Sequence, residues 1–485
     1  MTTPQDQTLP TSQTQDETIA VIDNVIRLKR DTLQPDFVKD LKESLTRENP
    51  AYHQMKRMQY RNPHKFRFAK LPPATVSSYD ESSDTIYIPR GFKKSLINLA
   101  TAHNHRIKFY DKTLRFACDQ GMEFNPDIIL KDYQVKALST LGLNREGIIV
   151  APCGGGKTVI GIAAICMIGQ PALVLVHTTD LMHQWRGELA AKATIPRGIG
   201  QWGAGVKQRG AVTVGMIQTL IKMPAVELKQ FLDNFGYVLL DEAHHCPATT
   251  FMSVMNLSSA AYRHGLTATP ERKDGLEFLM GDTIGPLLTE ITDNELLAEG
   301  RSQQCQVVEI PSTFYTKHTA DEWTKLIAAL VTDRDRNRLI IRSVLHCWNN
   351  GHFPLVLSDR VGHCRELCNE LKAGGMNAQL MTGDVPKNIR KQIKEMSNDG
   401  LVDCIVATKV ADEGLDIPSL SAIHLTCPSA NEPKTKQRIG RIRRPMEGKG
   451  DSIVYDYVDM RVKSCLRMAK ERKRMYKKWG FTFCK

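Results

Sequence analysis

The segment Ala151-Pro152-Cys153-Gly154-Gly155-Gly156-Lys157-Thr158 combines what is needed to hold a phosphate chain. Three glycines let successive backbone amides curl around an anion, Lys157 is long enough to reach its outer charges, and the Thr158 hydroxyl is a ligand for Mg²⁺. The apolar run Gly147-Ile148-Ile149-Val150 precedes the segment and a helical pattern from Val159 to Met167 follows it. The loop therefore joins a strand to a helix whose positive end faces the anion. Pro152, Cys153, Gly154, Gly155, Gly156, Lys157 and Thr158 are the candidate nucleotide ligands. Ala151 stands where the strict pattern has glycine, and a plain glycine-rich turn is the alternative.

Downstream, Tyr237-Val238-Leu239-Leu240 reads as a buried strand, with Asp241-Glu242-Ala243-His244 emerging at its carboxyl end, where ligands collect in open parallel sheets. Asp241 would hold Mg²⁺ through water, and Glu242 would orient and deprotonate an attacking water. An exposed acidic turn is the rival reading. Near the C-terminus stands Gln437-Arg438-Ile439-Gly440-Arg441-Ile442-Arg443-Arg444. The spacing predicts Arg441 and Arg444 on one helical face, where two guanidiniums could stabilise charge on a transferring phosphoryl group, unless the run is only a basic helix surface.

These residues need scaffolds. The 485 residues, 41% of them hydrophobic, exceed what one core organises. Residues 1–18 are polar and read as a disordered tail. Residues 19–115 mix short alternating stretches such as Thr85-Ile86-Tyr87-Ile88 with turn signals and a helical run after Lys93, as in a small α+β domain. From Phe116 to residue 290, and again over 337–485, β-branched runs alternate with helical patterns, the mark of a parallel sheet wrapped by helices. Ala172-Leu173-Val174-Leu175-Val176, Pro354-Leu355-Val356-Leu357 and Cys404-Ile405-Val406-Ala407 are such runs. The more polar stretch 291–336 reads as a linker.

In order and spacing, the motifs from Leu130 to Arg444 resemble those of superfamily 2 helicases. The resemblance implies an α/β fold of two tandem RecA-like motor domains, with ATP and Mg²⁺ between them. Gln134 in Leu130-Lys131-Asp132-Tyr133-Gln134 matches the adenine-contacting residue. Val174 to Trp185 and Met216-Ile217-Gln218-Thr219-Leu220 look like strand-tracking motifs, with Thr219 on the nucleic acid. Gly265-Leu266-Thr267-Ala268-Thr269-Pro270 resembles the coupling motif, in which Thr267 and Thr269, with His244, would link hydrolysis to movement. In the second domain Arg360 and Thr408 would meet the phosphodiester backbone, Gly414 and Asp416 would face the nucleotide, and Gln437, Arg441 and Arg444 would complete the catalytic set with Lys157 and Glu242.

Within the superfamily, the short loop and Thr269-Pro270-Glu271-Arg272-Lys273-Asp274-Gly275 are most similar to the branch that includes the XPB and UvsW helicases. That branch implies DNA as partner, whether branched, forked or duplex, with recombination or repair proteins alongside, and residues 19–115 as a DNA-recognition domain. Arg272-Lys273-Asp274 departs from the branch's Arg-Glu-Asp element at its middle residue. RNA is the competing substrate, and the motor of a restriction system and a binding module with a decayed ATPase are competing functions. The net charge of +12 suits a polyanionic partner, though it also solvates a large surface. Scattered cysteines and the lack of a leader or a long apolar run lead to the expectation of a cytoplasmic protein without membrane contact. The basic, aromatic stretch from Arg461 to Lys485 reads as an amphipathic helix docked on the second domain or as a nucleic-acid contact.

Overall fold

The computed structural model describes residues 17–484, apart from 62, 67–68, 118–120, 153, 243–247, 269–274 and 409–416. The chain forms two units, one of Met1–Val150 with Lys157–Glu290, the other of Ala151–Gly156 with Ile291–Lys485.

In the first unit an eight-stranded sheet runs in the order Val206–Gln208, Ile199–Gly203, Val212–Met216, Ala172–Val176, Tyr237–Asp241, Tyr262–Thr267, Glu146–Val150, Leu287–Glu290. All neighbours are parallel except the first pair. Both faces are covered, and every residue of Ala172–Val176 and Tyr237–Asp241 is buried. Parallel pairing brings the carboxyl ends of Glu146–Val150, Tyr237–Asp241 and Tyr262–Thr267 to one edge, where the phosphate loop and the acidic pair begin.

The amino-terminal region is α+β, as expected. Its five-stranded sheet runs Asp80–Glu81, Thr85–Ile88, Ile26–Lys29, Glu17–Ile22, Arg106–Asp111, and Phe37, Leu41, Ile86 and Leu96 centre its core. Glu17 and Thr18, read with the tail, belong to the first of these strands; residues 1–16 lie outside the described residues. A buried polar seam joins this region to the motor sheet. Arg90 donates to Asp23 O (3.0 Å) and Ala260 O (2.7 Å) and pairs with Glu146, and Arg263 donates to Asn24 O (2.8 Å).

The second unit carries a seven-stranded, wholly parallel sheet in the order Ala378–Met381, Cys404–Ala407, Pro354–Leu357, Ala422–Leu425, Ser452–Asp459, Cys305–Ser312, Thr482–Phe483. Residues 291–336, read as a linker, contain the strand Cys305–Ser312, paired along its whole length with Ser452–Asp459. Gln306 and Glu309 lie on its half-exposed positions and dilute the apolar pattern. The helix Lys463–Lys478 docks on this unit by burying Cys465, Ala469, Arg472 and Tyr476. Arg472 grips Asp456 with two bonds, of 2.8 and 2.6 Å. Among the described residues no helix is long and apolar enough to cross a membrane.

Candidate functional site

Gly154 and Gly156 have φ of +88° and +73°, a region that disfavours any side chain. Gly155 donates its N–H to Pro152 O at 3.0 Å, and a Cβ on it would stand 3.1 Å from that same oxygen. The loop thus needs the three glycines. Ala151 is fully buried and is not among the residues of positive φ, so its departure from the strict pattern carries no backbone penalty. Lys157 and Thr158 open the helix Lys157–Ile168.

Lys157 Nζ lies 3.1 Å from Glu242 Oε1. Glu242 has φ of +50°, rare for a residue with a side chain, and this turn occurs where the chain leaves the strand Tyr237–Asp241. Two bonds fix Glu242: its N–H donates to Leu266 O (2.9 Å), and its Oε2 accepts from the Ala268 N–H (3.4 Å). The acid is thereby tied to the strand that ends at Thr267, itself fully buried. Asp241 is 4% exposed and accepts a 2.7 Å bond from the Trp185 indole on Oδ2, whereas Oδ1 is buried with no hydrogen-bond partner among the described residues. Burial, and then the charge of Glu242, push the Asp241 carboxyl above the usual carboxylate range; Trp185 and Lys157 oppose them.

In the second unit the helix Glu432–Gly440 holds Gln437, half-buried, and stops at Gly440. Arg441 and Arg444 therefore do not share a helical face, contrary to their spacing. Arg441 is the helix's C-cap, and Arg444 lies in irregular chain before Pro445, a residue that disfavours helix in its predecessor. Lys449 holds this exit in place by donating to the carbonyls of Pro418 (3.0 Å), Ile442 (2.7 Å) and Arg444 (2.6 Å). Arg443, which the motif reading passed over, is buried and pairs with Asp293 at 3.0 Å, as does Lys436 at 3.2 Å. Arg438 and Lys434 converge on Asp359 at 3.3 and 3.2 Å. In sequence these cations look like neighbours of equal standing; only burial separates them.

The remaining candidates are spread along the chain. Gln134 is buried and its Oε1 accepts from the Lys131 N–H (3.0 Å), which fixes the amide at the start of the helix Asp132–Leu143. Thr219 is half-buried in Ile217–Leu220, and Arg360 is exposed as the N-cap of Val361–Ala373. Thr408 is buried, not presented at the surface, and donates its N–H to Met381 O at 3.4 Å. Cys153, His244, Thr269, Gly414, Asp416 and the stretch Arg272-Lys273-Asp274 lie outside the described residues. Sequence reasoning treated Trp185 only as the end of a strand-tracking motif. An indole beside a buried acid is visible only once the helix Thr179–Lys192 is packed.

Two parallel sheets, the first bearing a phosphate loop and an acidic pair at its strand ends, define a tandem RecA-like protein. Residues 127–272 match the family described as Type III restriction enzyme, res subunit, and residues 336–446 match the helicase conserved C-terminal domain. The DNA 3'-5' helicase XPB of Mycobacterium tuberculosis is 27% identical over 344 residues, 68% of this chain and 60% of that protein. The probable helicase D10 of Escherichia phage T5 is 29% identical over 331 residues, 68% of this chain and 71% of that one. Among solved structures, the DUF1998 helicase MrfA bound to DNA and AMPPNP shares the fold, with a TM-score of 0.55 at 13% identity over 73% of this chain and 52% of that chain. In both matched segments and in these relatives the chain is similar to superfamily 2 helicases. It spans 60% and 64% of the length of two bacterial XPB relatives.

Proposed function

We propose that this chain is an ATP-dependent DNA helicase or translocase acting on branched or damaged DNA in recombination, repair or replication restart. The observation that carries the proposal is the pairing of Lys157 with Glu242 beside a buried Asp241. The residues suit ATP and Mg²⁺. Gly154 and Gly156 have the backbone of an anion cradle, and Asp241 Oδ1 is a buried acceptor with no donor among the described residues. Bound ATP with Mg²⁺ supplies the phosphoryl group and the cation that neutralises its charge.

The residues then divide the work. The loop amides and Lys157 would hold the phosphates, Thr158 and Asp241 would hold the cation, and Glu242 would take the proton of the attacking water. Arg441 and Arg444 meet the charge that develops on the phosphoryl group. Because Glu242 accepts from the Ala268 N–H, a change at the acid would reach the residue directly after the strand Tyr262–Thr267.

DNA as the substrate draws support from the relatives, which are named as DNA helicases, and from the amino-terminal region. From Asn49 to Tyr79 the sequence contains no acidic residue and six Lys or Arg. On the helix Pro50–Arg61, Tyr52, Lys56 and Tyr60 follow one another at four-residue spacing, with Arg57 alongside, and Tyr60 is 90% exposed. Rings and cations on one face suit bases and phosphates.

The test is strand separation on a fluorophore-labelled forked DNA. ATP-dependent separation that Lys157→Ala abolishes is expected; ATP hydrolysis stimulated by RNA and by no DNA would overturn the proposal. The match of residues 127–272 to the restriction res subunit favours a second reading, a motor serving a nuclease partner. Stable co-purification with a nuclease or methyltransferase would support it.

A further inference from the structure

Trp185 is 1% exposed, and its indole N–H donates the 2.7 Å bond to Asp241 Oδ2. The other oxygen of that carboxylate, Oδ1, has no donor among the described residues. Across the ring, Gly161 makes the space. A Cβ there would stand 2.7 Å from Trp185 Cη2, 2.9 Å from Leu239 Cδ2 and 3.0 Å from Leu266 Cδ1. Gly161 lies on the helix that begins at Lys157, so one indole meets the phosphate-loop helix at its six-membered ring and the acidic strand end at its nitrogen. Trp185 itself comes from the helix Thr179–Lys192, which Thr178 caps by accepting the Leu181 N–H at 3.2 Å.

A carboxylate held by one oxygen cannot rotate freely, and a donor on the outer side of a metal ligand orients it. We propose that Trp185 is a positioning residue for the divalent cation: it occupies Oδ2 of Asp241, presents Oδ1 to the metal's water, and ties that carboxylate to the helix Thr179–Lys192. This rests on the ATP and Mg²⁺ reading of the site. Because the helix as far as Trp185 lies in the stretch that resembles a strand-tracking motif, its displacement on engaging a nucleic-acid strand would turn the metal ligand directly. The site would then sense the strand without any contact between strand and nucleotide.

The experiment uses the full chain and Mn²⁺ as an electron-paramagnetic probe of the ADP complex. Trp185→Phe keeps most of the ring volume and removes the N–H. Benzothienylalanine installed at position 185 keeps the two-ring shape and replaces the N–H by sulfur, so it reports on the bond even if Trp185→Phe folds poorly. Both replacements are expected to weaken Mn²⁺ binding about tenfold or more, the usual effect of losing a donor behind a metal ligand. ADP binding without metal stays as in the unmodified protein. Strand stimulation of hydrolysis falls more than the unstimulated rate. Unchanged Mn²⁺ affinity in the benzothienylalanine protein would overturn the positioning role while leaving the ATP site intact. If the unmodified protein binds nucleotide with no dependence on divalent metal, the site reading fails and this inference fails with it.

Discussion

Lys157 Nζ stands 3.1 Å from Glu242 Oε1, and both side chains are only 12% exposed. On the function proposed above, the ammonium that would reach for phosphate is therefore balanced by the carboxylate that would activate water. An arriving phosphate would compete with Glu242 for Lys157 and leave the carboxylate a better proton acceptor. Glu242→Gln is expected to keep or tighten ATP binding and to lower hydrolysis by about 10²–10⁴-fold, the range for loss of a general base. Lys157→Ala should lose both. Calorimetric ATP binding alongside phosphate release separates the two; equal loss of binding in both variants would count against this division of roles.

The arginines after Gly440 should respond differently to removal. Arg443 is buried against Asp293, with its guanidinium 5.2 Å from the Phe481 ring centre, so Arg443→Ala leaves Lys436 as the remaining cation on Asp293 and removes the packing against Phe481. A loss of about 1–3 kcal/mol in the stability of the second unit is expected. Arg441→Ala and Arg444→Ala should leave the melting temperature nearly unchanged and lower kcat. Urea unfolding followed by steady-state kinetics gives both quantities.

Acid should weaken the first unit through His264. Its Nε2 lies 2.8 Å from Asn144 O and its Nδ1 3.2 Å from the Tyr237 hydroxyl, so the neutral ring is fully engaged. Burial pushes its pKa down from 6.5 to about 4, and the Asn144 carbonyl opposes the shift only in part. Below 6.5 the unfolded chain binds a proton that the folded chain refuses. Stability is thus complete above 6.5 and falls toward pH 4, by roughly 1.4 kcal/mol per pH unit. His264→Gln should flatten this dependence by one proton in unfolding measured at pH 5 and pH 7. An unchanged slope would mean that His264 is not the group responsible.

Much of the scaffold was legible in the sequence because the central strands are buried on both faces. Ala172–Val176, Pro354–Leu357 and Cys404–Ala407 have the bounds that their apolar runs predict. Cys305–Ser312 was hidden because Gln306 and Glu309 interrupt its apolar run at partly exposed positions. The phosphate loop was legible because chemistry fixes its residue types. The helical pairing of Arg441 with Arg444 was not, since spacing assumes a helix that Gly440 and Pro445 end. The bond from Trp185 to Asp241 was not legible because the two residues are 56 apart in the sequence.

Surface variants are the right probe of the amino-terminal region. Deleting it would leave Arg263 and Glu146 in a seam that Asn24 and Arg90 now complete. Lys56→Glu with Arg57→Glu should weaken single-stranded DNA binding and make it less dependent on salt, the slope falling by about 0.7 for each phosphate no longer neutralised. Tyr60→Ala should weaken binding with the salt slope unchanged, because stacking releases no counterions. Fluorescence anisotropy across a salt series measures both, and wild-type affinity in the two variants would remove this surface from the account.

The central claim, an ATP-driven motor on DNA, is tested most directly by phosphate release with single-stranded DNA, duplex, fork, four-way junction and RNA as competing activators. The account predicts that DNA stimulates hydrolysis, that forks and junctions do so most strongly, and that Lys157→Ala abolishes the signal. Hydrolysis indifferent to every DNA, or stimulated by RNA alone, would contradict it.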